Sequence, residues 1–280
     1  MARRLLVKNI VIQGGTDGMG RALGLARLHR GDAVLIIGRD AAKGASFLAE
    51  AAATGAGERA TFVQADLSLI SENQRVIESI AARFPTLDAL VLCARHYLSA
   101  RRETAEGIEG TFALFYLSRF LLGHGLRPLL EKGEQPVIMN VAGPGSPMGE
   151  IHWADLEMKR DYNGLVAQMQ GGKANDLLGV AFAEEYGTGA IRYVLFNPGS
   201  VSTSFSGEYD PATKAHIEGM KRMAKPVEAG IAPILTVLDA PPAEPVSAFV
   251  EGRRMGLTDK SFDTHDAKRL ATLTRELLAR

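Results

Sequence analysis

An apolar run, residues 9–13, leads straight into Gly14-Gly15-Thr16-Asp17-Gly18-Met19-Gly20, and a helical pattern follows. Few folds call for glycines at 14, 18 and 20 between a strand and a helix. The first permits a tight turn, the second lets a phosphate approach the backbone, and the third lets helix and strand touch. Amides exposed at the helix start then face the anion. An ordinary turn is the plain alternative, but the strand–loop–helix setting points to the pyrophosphate of a dinucleotide.

The rest of the chain repeats that alternation. Residues 9–13, 33–38, 60–64, 89–93, 137–141 and 191–196 are nearly continuous apolar runs, the pattern of parallel strands covered on both faces. Helical patterns occupy 18–30, 41–53, 72–84, 107–122 and 167–186, with Gly31 as a cap after the first. The order predicts an α/β fold, a Rossmann-type doubly wound parallel sheet in a single domain over 1–280, with ligands at the carboxyl ends of its strands. Residues 199–280 are expected to supply a substrate-covering segment and a C-terminal helix. Within them, 213–224 and 228–238 read as helices and 247–250 as a last strand.

Composition narrows the function classes. Lys plus Arg and Asp plus Glu are equal at 32 each, so no basic field gathers nucleic acid or an anionic membrane. Cys93 is the one cysteine, which excludes an intrachain disulfide and a cysteine-based zinc site. The six histidines (29, 96, 124, 152, 216 and 265) show no ligand spacing, so no metal is expected. The greasy stretch 111–130 carries Arg119, His124 and Arg127, which argues against a bilayer span, and Lys8 and Asn9 cut short any signal-peptide core. Arg3, Arg4 and Lys8 read as an exposed N-terminus, and a cytoplasmic protein is the expectation.

The second strand ends in Gly38-Arg39-Asp40. A carboxylate there grips the free ribose hydroxyls of NAD, whereas arginine pairs with the 2′-phosphate of NADP. Arg39 comes first and favours NADP(H), with Asp40 free to cap the next helix.

With these motifs in place the chain resembles the short-chain dehydrogenase/reductase family, in particular its retinol-dehydrogenase-like branch. The glycine loop matches in spacing, with Gln13 in place of a threonine. Ala65-Asp66-Leu67-Ser68 resembles the segment that contacts adenine, Glu106-Gly107-Ile108-Glu109-Gly110-Thr111-Phe112 the start of the long fourth helix, and Asn197-Pro198-Gly199-Ser200-Val201-Ser202-Thr203 the stretch beside the nicotinamide amide. The end, 268–280, resembles that branch's last helix. The resemblance implies cofactor contacts from Gly14, Thr16, Asp17, Gly18, Met19, Gly20, Arg39, Asp66, Leu67, Cys93, Ala94, Lys173, Pro198, Gly199, Val201 and Thr203. It also implies a homo-oligomer, dimer or tetramer, built on the fourth helix and the helix after Met169.

The catalytic positions of the family do not carry over. Asn-Asn-Ala-Gly becomes Leu92-Cys93-Ala94-Arg95, the helix asparagine falls on Phe115, and the serine falls on Gly143. The Tyr-x-x-x-Lys pair becomes Met169 to Lys173, so the lysine stays to hold the nicotinamide ribose and the phenol is lost. Tyr162 lies eleven residues before Lys173, about three helical turns, too far to rebuild the pair within one helix. Ser146 could stand in for the serine, although a polar loop residue is the simpler reading. Without a positioned acid, roughly 10²–10⁴ in the rate of carbonyl reduction is forfeited. The reading is therefore an NADP(H)-dependent oxidoreductase whose small organic acceptor does not need that tyrosine: an iminium ion, an activated alkene, or a carbonyl protonated by another group. Lys173, His96, Tyr97 and Tyr162 are the candidate catalytic side chains, with His152 behind them. A non-redox cyclase or isomerase and a catalytically silent dinucleotide-sensing protein are the alternatives. Cys93 reads as a packed thiol and Met169 as pocket wall.

Overall fold

Apolar runs become strands here because each has helices waiting on both faces. The computed structural model describes residues 7–280. In chain order, β1 (Asn9–Gln13), α1 (Gly18–His29), β2 (Ala33–Gly38), α2 (Ala41–Ala53), β3 (Ala60–Gln64), α3 (Ile70–Arg83) and β4 (Ala89–Leu92) form the first half. A short β5 (Tyr97–Leu98) precedes α4 (Gly110–Phe112), which passes through a π-helical stretch, Ala113–Leu117, into α5 (Ser118–Gly125) and the one-turn α6 (Arg127–Leu130). Then come β6 (Val137–Val141), α7 (Gly164–Tyr186), β7 (Arg192–Asn197), β8 (Gly207–Glu208), α8 (Pro211–Met223), α9 (Val227–Asp239), β9 (Val246–Val250), β10 (Arg253–Met255) and α10 (Thr264–Leu278).

Eight strands make one sheet in the order β10-β9-β7-β6-β4-β1-β2-β3, parallel except for β10. The order reverses between β1 and β4, and a crevice opens there at the carboxyl ends. Successive side chains of each strand point to opposite faces. Val11, Leu35, Leu90 and Ile138 therefore join α3, α5 and α7 in one core layer, and Ile10, Ile36, Val91 and Met139 join α1, α2 and α9 in the other.

Several boundaries differ from the periodic reading, each for a tertiary reason. Helix α3 begins two residues early because the carboxylate of Glu106, from a distant loop, accepts the amides of Ile70 and Ser71. Glu109 likewise caps α4 at Thr111 and Phe112, at 2.8 and 2.7 Å, so that helix starts at Gly110. Asn163 caps α7, moving its start to Gly164. Strand β10, unforeseen, is the return arm of a hairpin whose turn residues Glu251 and Gly252 both have positive φ, 51° and 81°.

The C-terminal segment divides its work. Its first part, through α8, borders the crevice; β9 and β10 extend the sheet, and α10 packs along α7. Arg3 and Arg4 lie outside the described residues. Lys8 is half-buried rather than free: its amide donates to Asp32 and its ammonium to the carbonyl of Leu238, both at 2.9 Å. Among the described residues no helix is long and apolar enough to cross a membrane.

Candidate functional site

The crevice is a cleft of about 880 Å³, within the roughly 300–1,000 Å³ usual for ligand and cofactor sites. Its floor is the glycine loop. Gly14 and Gly18 have φ of 74° and 50°, a region side chains avoid. A Cβ on Gly20 would lie 2.3 Å from the carbonyl oxygen of Gly14, so only glycine lets α1 start so close to β1. Asp17 caps α1 through the amide of Gly18, at 2.7 Å, and pairs with Lys43. Burial opposes its charge, but the bonds from Lys43 and Gly18 outweigh it and hold the carboxyl below its ordinary range. Gln13, in place of the threonine, is buried and donates to Ser118 at 2.7 Å, and Ser118 donates to Asn73 at 2.8 Å.

At the end of β2, Asp40 accepts the amide of Lys43 at 3.0 Å and caps α2. Arg39 lines the cleft and, among the described residues, makes no ion pair. Lys43 lines the same corner, a residue that sequence reading missed because its relevance depends on where α2 docks.

Most of the expected cofactor positions border this cleft. Gly14, Thr16, Asp17, Gly18, Met19 and Gly20 do so from the loop, Arg39 and Leu67 from the ends of β2 and β3, and Cys93 and Ala94 from the end of β4. Pro198, Gly199, Val201 and Thr203 close the far side after β7. Asp66 is not in the lining; its Oδ1 is taken up by the amide and hydroxyl of Ser68 within its own turn. The surrounding protein pushes the Cys93 thiol up to about 12 by burial, as suits a packing residue.

Lys173 is not where the alignment put it. Its ammonium donates to the carbonyl oxygen of Lys260, 2.5 Å away in the segment before α10, and it does not line the cleft. The cleft-facing residues of α7 are Gln168, Met169 and Gly172. Residues four apart share a helical face. The pair in phase with the cleft is therefore Gln168 and Gly172, one position before Met169 and Lys173. No tyrosine or lysine of α7 borders the cleft. A Cβ at Gly172 would meet nothing within 4 Å, and the same holds at Gly143 in the serine position.

The other catalytic candidates are scattered. Tyr162 donates its hydroxyl to the carbonyl of Leu98 and bonds Thr111, both at 3.1 Å; burial pushes it up to about 12, and it is absent from the lining. Tyr97 is also outside the lining and stacks on Tyr209, ring centres 5.0 Å apart. Only His96 of the four borders the cleft, its Nδ1 2.7 Å from the hydroxyl of Ser206. Burial, and then the charge of Arg39, lower its pKa, which leaves the ring neutral near pH 7. His152 is exposed and outside the cleft; Ser146 and Met169 border it.

Phe115, at the asparagine position, is a buried apolar wall in the π-helical stretch. A Cβ on Gly171 would sit 2.5 Å from its ring, so Gly171 makes room for it. Below it Arg119, fully buried, lies over the ring at 4.6 Å and donates to the carbonyls of Val141 and Ala94, each at 3.0 Å. That ties the ends of β4 and β6 together under the cleft. The role of Arg119 was not visible in the sequence; Arg95 could be read there either as a solvated loop charge or as a phosphate or substrate clamp, but its partner Gln168 could not. Arg95 borders the cleft with its Nε donating to Gln168 Oε1 at 2.7 Å, while Gln168 Nε2 donates to the carbonyl of His96 at 3.0 Å. Asp263, His265 and Asp266 come within 4.8 Å of one another at the start of α10, where Asp263 is the helix cap.

The fold is shared with known proteins. The profile of the short chain dehydrogenase family matches residues 8–155. An oxidoreductase of Emericella nidulans, AN1596, is 31% identical over 71% of this chain and 60% of its own length. Bovine retinol dehydrogenase 12 is 29% identical over 71% of this chain and 63% of its own. The chain thus spans less than two thirds of these curated relatives. Among solved structures, a short chain dehydrogenase of Burkholderia cenocepacia in complex with NADP superposes with a TM-score of 0.68 at 19% identity, over 89% of this chain and 98% of that one.

Proposed function

Because the chain belongs to the short-chain dehydrogenase family, we propose that it is an NADP(H)-dependent oxidoreductase acting on a small organic acceptor that needs no tyrosine acid. The observation that carries this reading is one cleft holding an intact phosphate loop on one wall and, on α7, Gln168 and Gly172 where the family pattern calls for tyrosine and lysine.

The residues present fit the dinucleotide. Gly14 and Gly20 leave no room for a Cβ against Ala94 and the Gly14 carbonyl, which keeps the loop tight, and the first amides of α1 would meet the phosphate there. Arg39, with Lys43 beside it, would take the 2′-phosphate, and Asp40 is already committed to its helix cap. The NADP bound in the Burkholderia neighbour supports the choice. Val201 and Thr203 would border the nicotinamide. When bound, NADPH supplies a hydride to the acceptor.

The chain's own groups then decide which acceptors succeed. Phe115 and Met169 make that part of the wall apolar. An iminium carbon that receives hydride becomes a neutral amine and needs no proton. An activated alkene takes hydride at one carbon and a proton from water at the other. A carbonyl needs an acid, and His96, the candidate that reaches the cleft, is held neutral near pH 7 by its surroundings. The iminium and alkene classes are therefore favoured over a plain ketone.

The test is NADPH absorbance on mixing with a cyclic imine, an enone and an aldehyde in turn. Stoichiometric loss with the imine or enone supports the reductase. Product without NADPH loss supports a cyclase or isomerase. The α7 face, which offers neither phenol nor ammonium, also favours a dinucleotide-sensing protein, and tight NADPH binding with no turnover of any class would support that reading instead.

Helix α10 packs along α7, and its Thr274 meets the hydroxyl of Tyr116 at 2.8 Å in a buried contact, so a homo-oligomer built on these helices would use what α10 leaves exposed.

A further inference from the structure

We propose that Arg95 is the recognition group for an anionic substrate, a carboxylate or an equivalent oxyanion, and that Gln168 positions it. This rests on the dinucleotide reading of the cleft given above.

The guanidinium is anchored at one edge and open at the other. Its Nε is spent on Gln168 Oε1 at 2.7 Å, and Gln168 is itself locked by donating to the carbonyl of His96 at 3.0 Å. The side chain of Gln168 is 4% exposed, so it has no solvent partner to turn toward. The backbone beneath is equally constrained: Ala94 packs against Gly14, and Arg119 donates to its carbonyl at 3.0 Å. Among the described residues the two terminal nitrogens of Arg95 have no hydrogen-bond partner and the group has no ion pair, although the residue is exposed on the cleft wall. Those two nitrogens form the planar fork that matches a carboxylate. A guanidinium held in advance loses less freedom on binding than a loose one.

No carboxylate in the cleft competes for it. Asp17 and Asp40 are the acids of the lining, and both are engaged at the α1 and α2 ends, with Lys43 and helix amides. The cofactor's own phosphates are served at that same end by the glycine loop, Arg39 and Lys43. The side chain of Arg95 is instead held on α7 by Gln168, which occupies the position that faces the reacting group in the family pattern. An anion held there belongs to the substrate.

The test is calorimetric titration of the NADPH-loaded protein with benzoate and with its neutral isostere benzamide. Benzoate is expected to bind about tenfold more tightly, and the advantage to shrink as salt rises. Arg95→Gln should erase the difference, and Arg95→Lys should keep roughly a third of it, because a charge without the fork remains. Gln168→Leu should weaken benzoate while leaving NADPH affinity within about twofold, as expected of a positioning residue. Equal binding of benzoate and benzamide, or an advantage that survives Arg95→Gln, overturns the proposal. So does benzoate binding that NADPH abolishes, which would assign Arg95 to a cofactor phosphate. Failure of NADPH to bind at all would instead remove the dinucleotide reading, and Arg95-dependent benzoate binding without NADPH would still mark the anion site.

Discussion

Lys173 and Gly172 are neighbours in sequence, yet only Gly172 faces the cleft. The ammonium of Lys173 is tied to the carbonyl of Lys260, 2.5 Å away. One residue along a helix is about 100° around its axis. That rotation separates a lysine that serves the cofactor from one that fastens the C-terminal segment to α7.

The register can be tested by restoring the family's chemistry in both phases. Gln168→Tyr with Gly172→Lys and Gly143→Ser should raise NADPH-dependent aldehyde reduction by roughly 10²-fold, the low end of what a positioned acid contributes. There is open space at 172 and 143 for the new side chains. Met169→Tyr with Gly143→Ser, which relies on Lys173, should give no gain. Steady-state rates on folded, NADPH-binding variants decide between them, and a gain in the second set alone would reverse the register.

Cofactor choice should depend on Arg39. Replacing it with Ala is expected to weaken NADPH binding by about tenfold or more, the worth of a charge-assisted phosphate contact, and to leave NADH unchanged. Fluorescence titration with both nucleotides measures this. Equal losses for the two would mean that Arg39 acts on something other than the 2′-phosphate.

Asp176 gives stability a pH dependence opposite to that of most carboxylates. It is 1% exposed on α7; its Oδ2 accepts the amide of Gly145 at 2.9 Å and its Oδ1 has no donor. Burial pushes its pKa up to about 8, more than the nearby ammonium of Lys173 can offset. The folded protein therefore holds a proton that the unfolded chain releases near pH 4. The stabilisation is complete below about pH 4 and is lost as pH rises through about 8. Asp176→Asn removes the penalty, so it should stabilise the protein by roughly 2–4 kcal/mol at about pH 8 and by almost nothing at about pH 4. Denaturant melts at the two pH values measure this; a destabilised Asn variant at the higher pH would show that the carboxylate is ionised and satisfied.

Gly20 should tolerate no side chain. Gly20→Ala places a Cβ 2.3 Å from the carbonyl oxygen of Gly14. The expected result is a loss of about 1–3 kcal/mol in stability, as for other overpacked sites, with weakened binding of either dinucleotide. Gly31→Ala is the contrast: nothing lies within 4 Å of its Cβ and it is far from the loop, so it should cost stability through its φ of 102° without touching affinity.

What the sequence determined by itself is local or periodic. Unbroken apolar runs marked the parallel strands because both faces of such a sheet are buried. The glycine spacing marked the phosphate loop because steric exclusion acts within a few residues. Arg39 was legible because its place follows from the end of one strand. Other features required the tertiary structure, since they depend on groups far apart in the chain. Glu106 lengthens α3 from 35 residues away, Glu251 and Gly252 fold β10 back onto β9, and α10 packs along α7. The rotation of α7 is the clearest case. A helix with glycines at 171 and 172 and apolar or amide neighbours has no strong sequence preference for which face turns inward. Packing of Gly171 on Phe115 and the hold of Lys260 on Lys173 set that angle, and with it the pairing of Gln168 with Arg95.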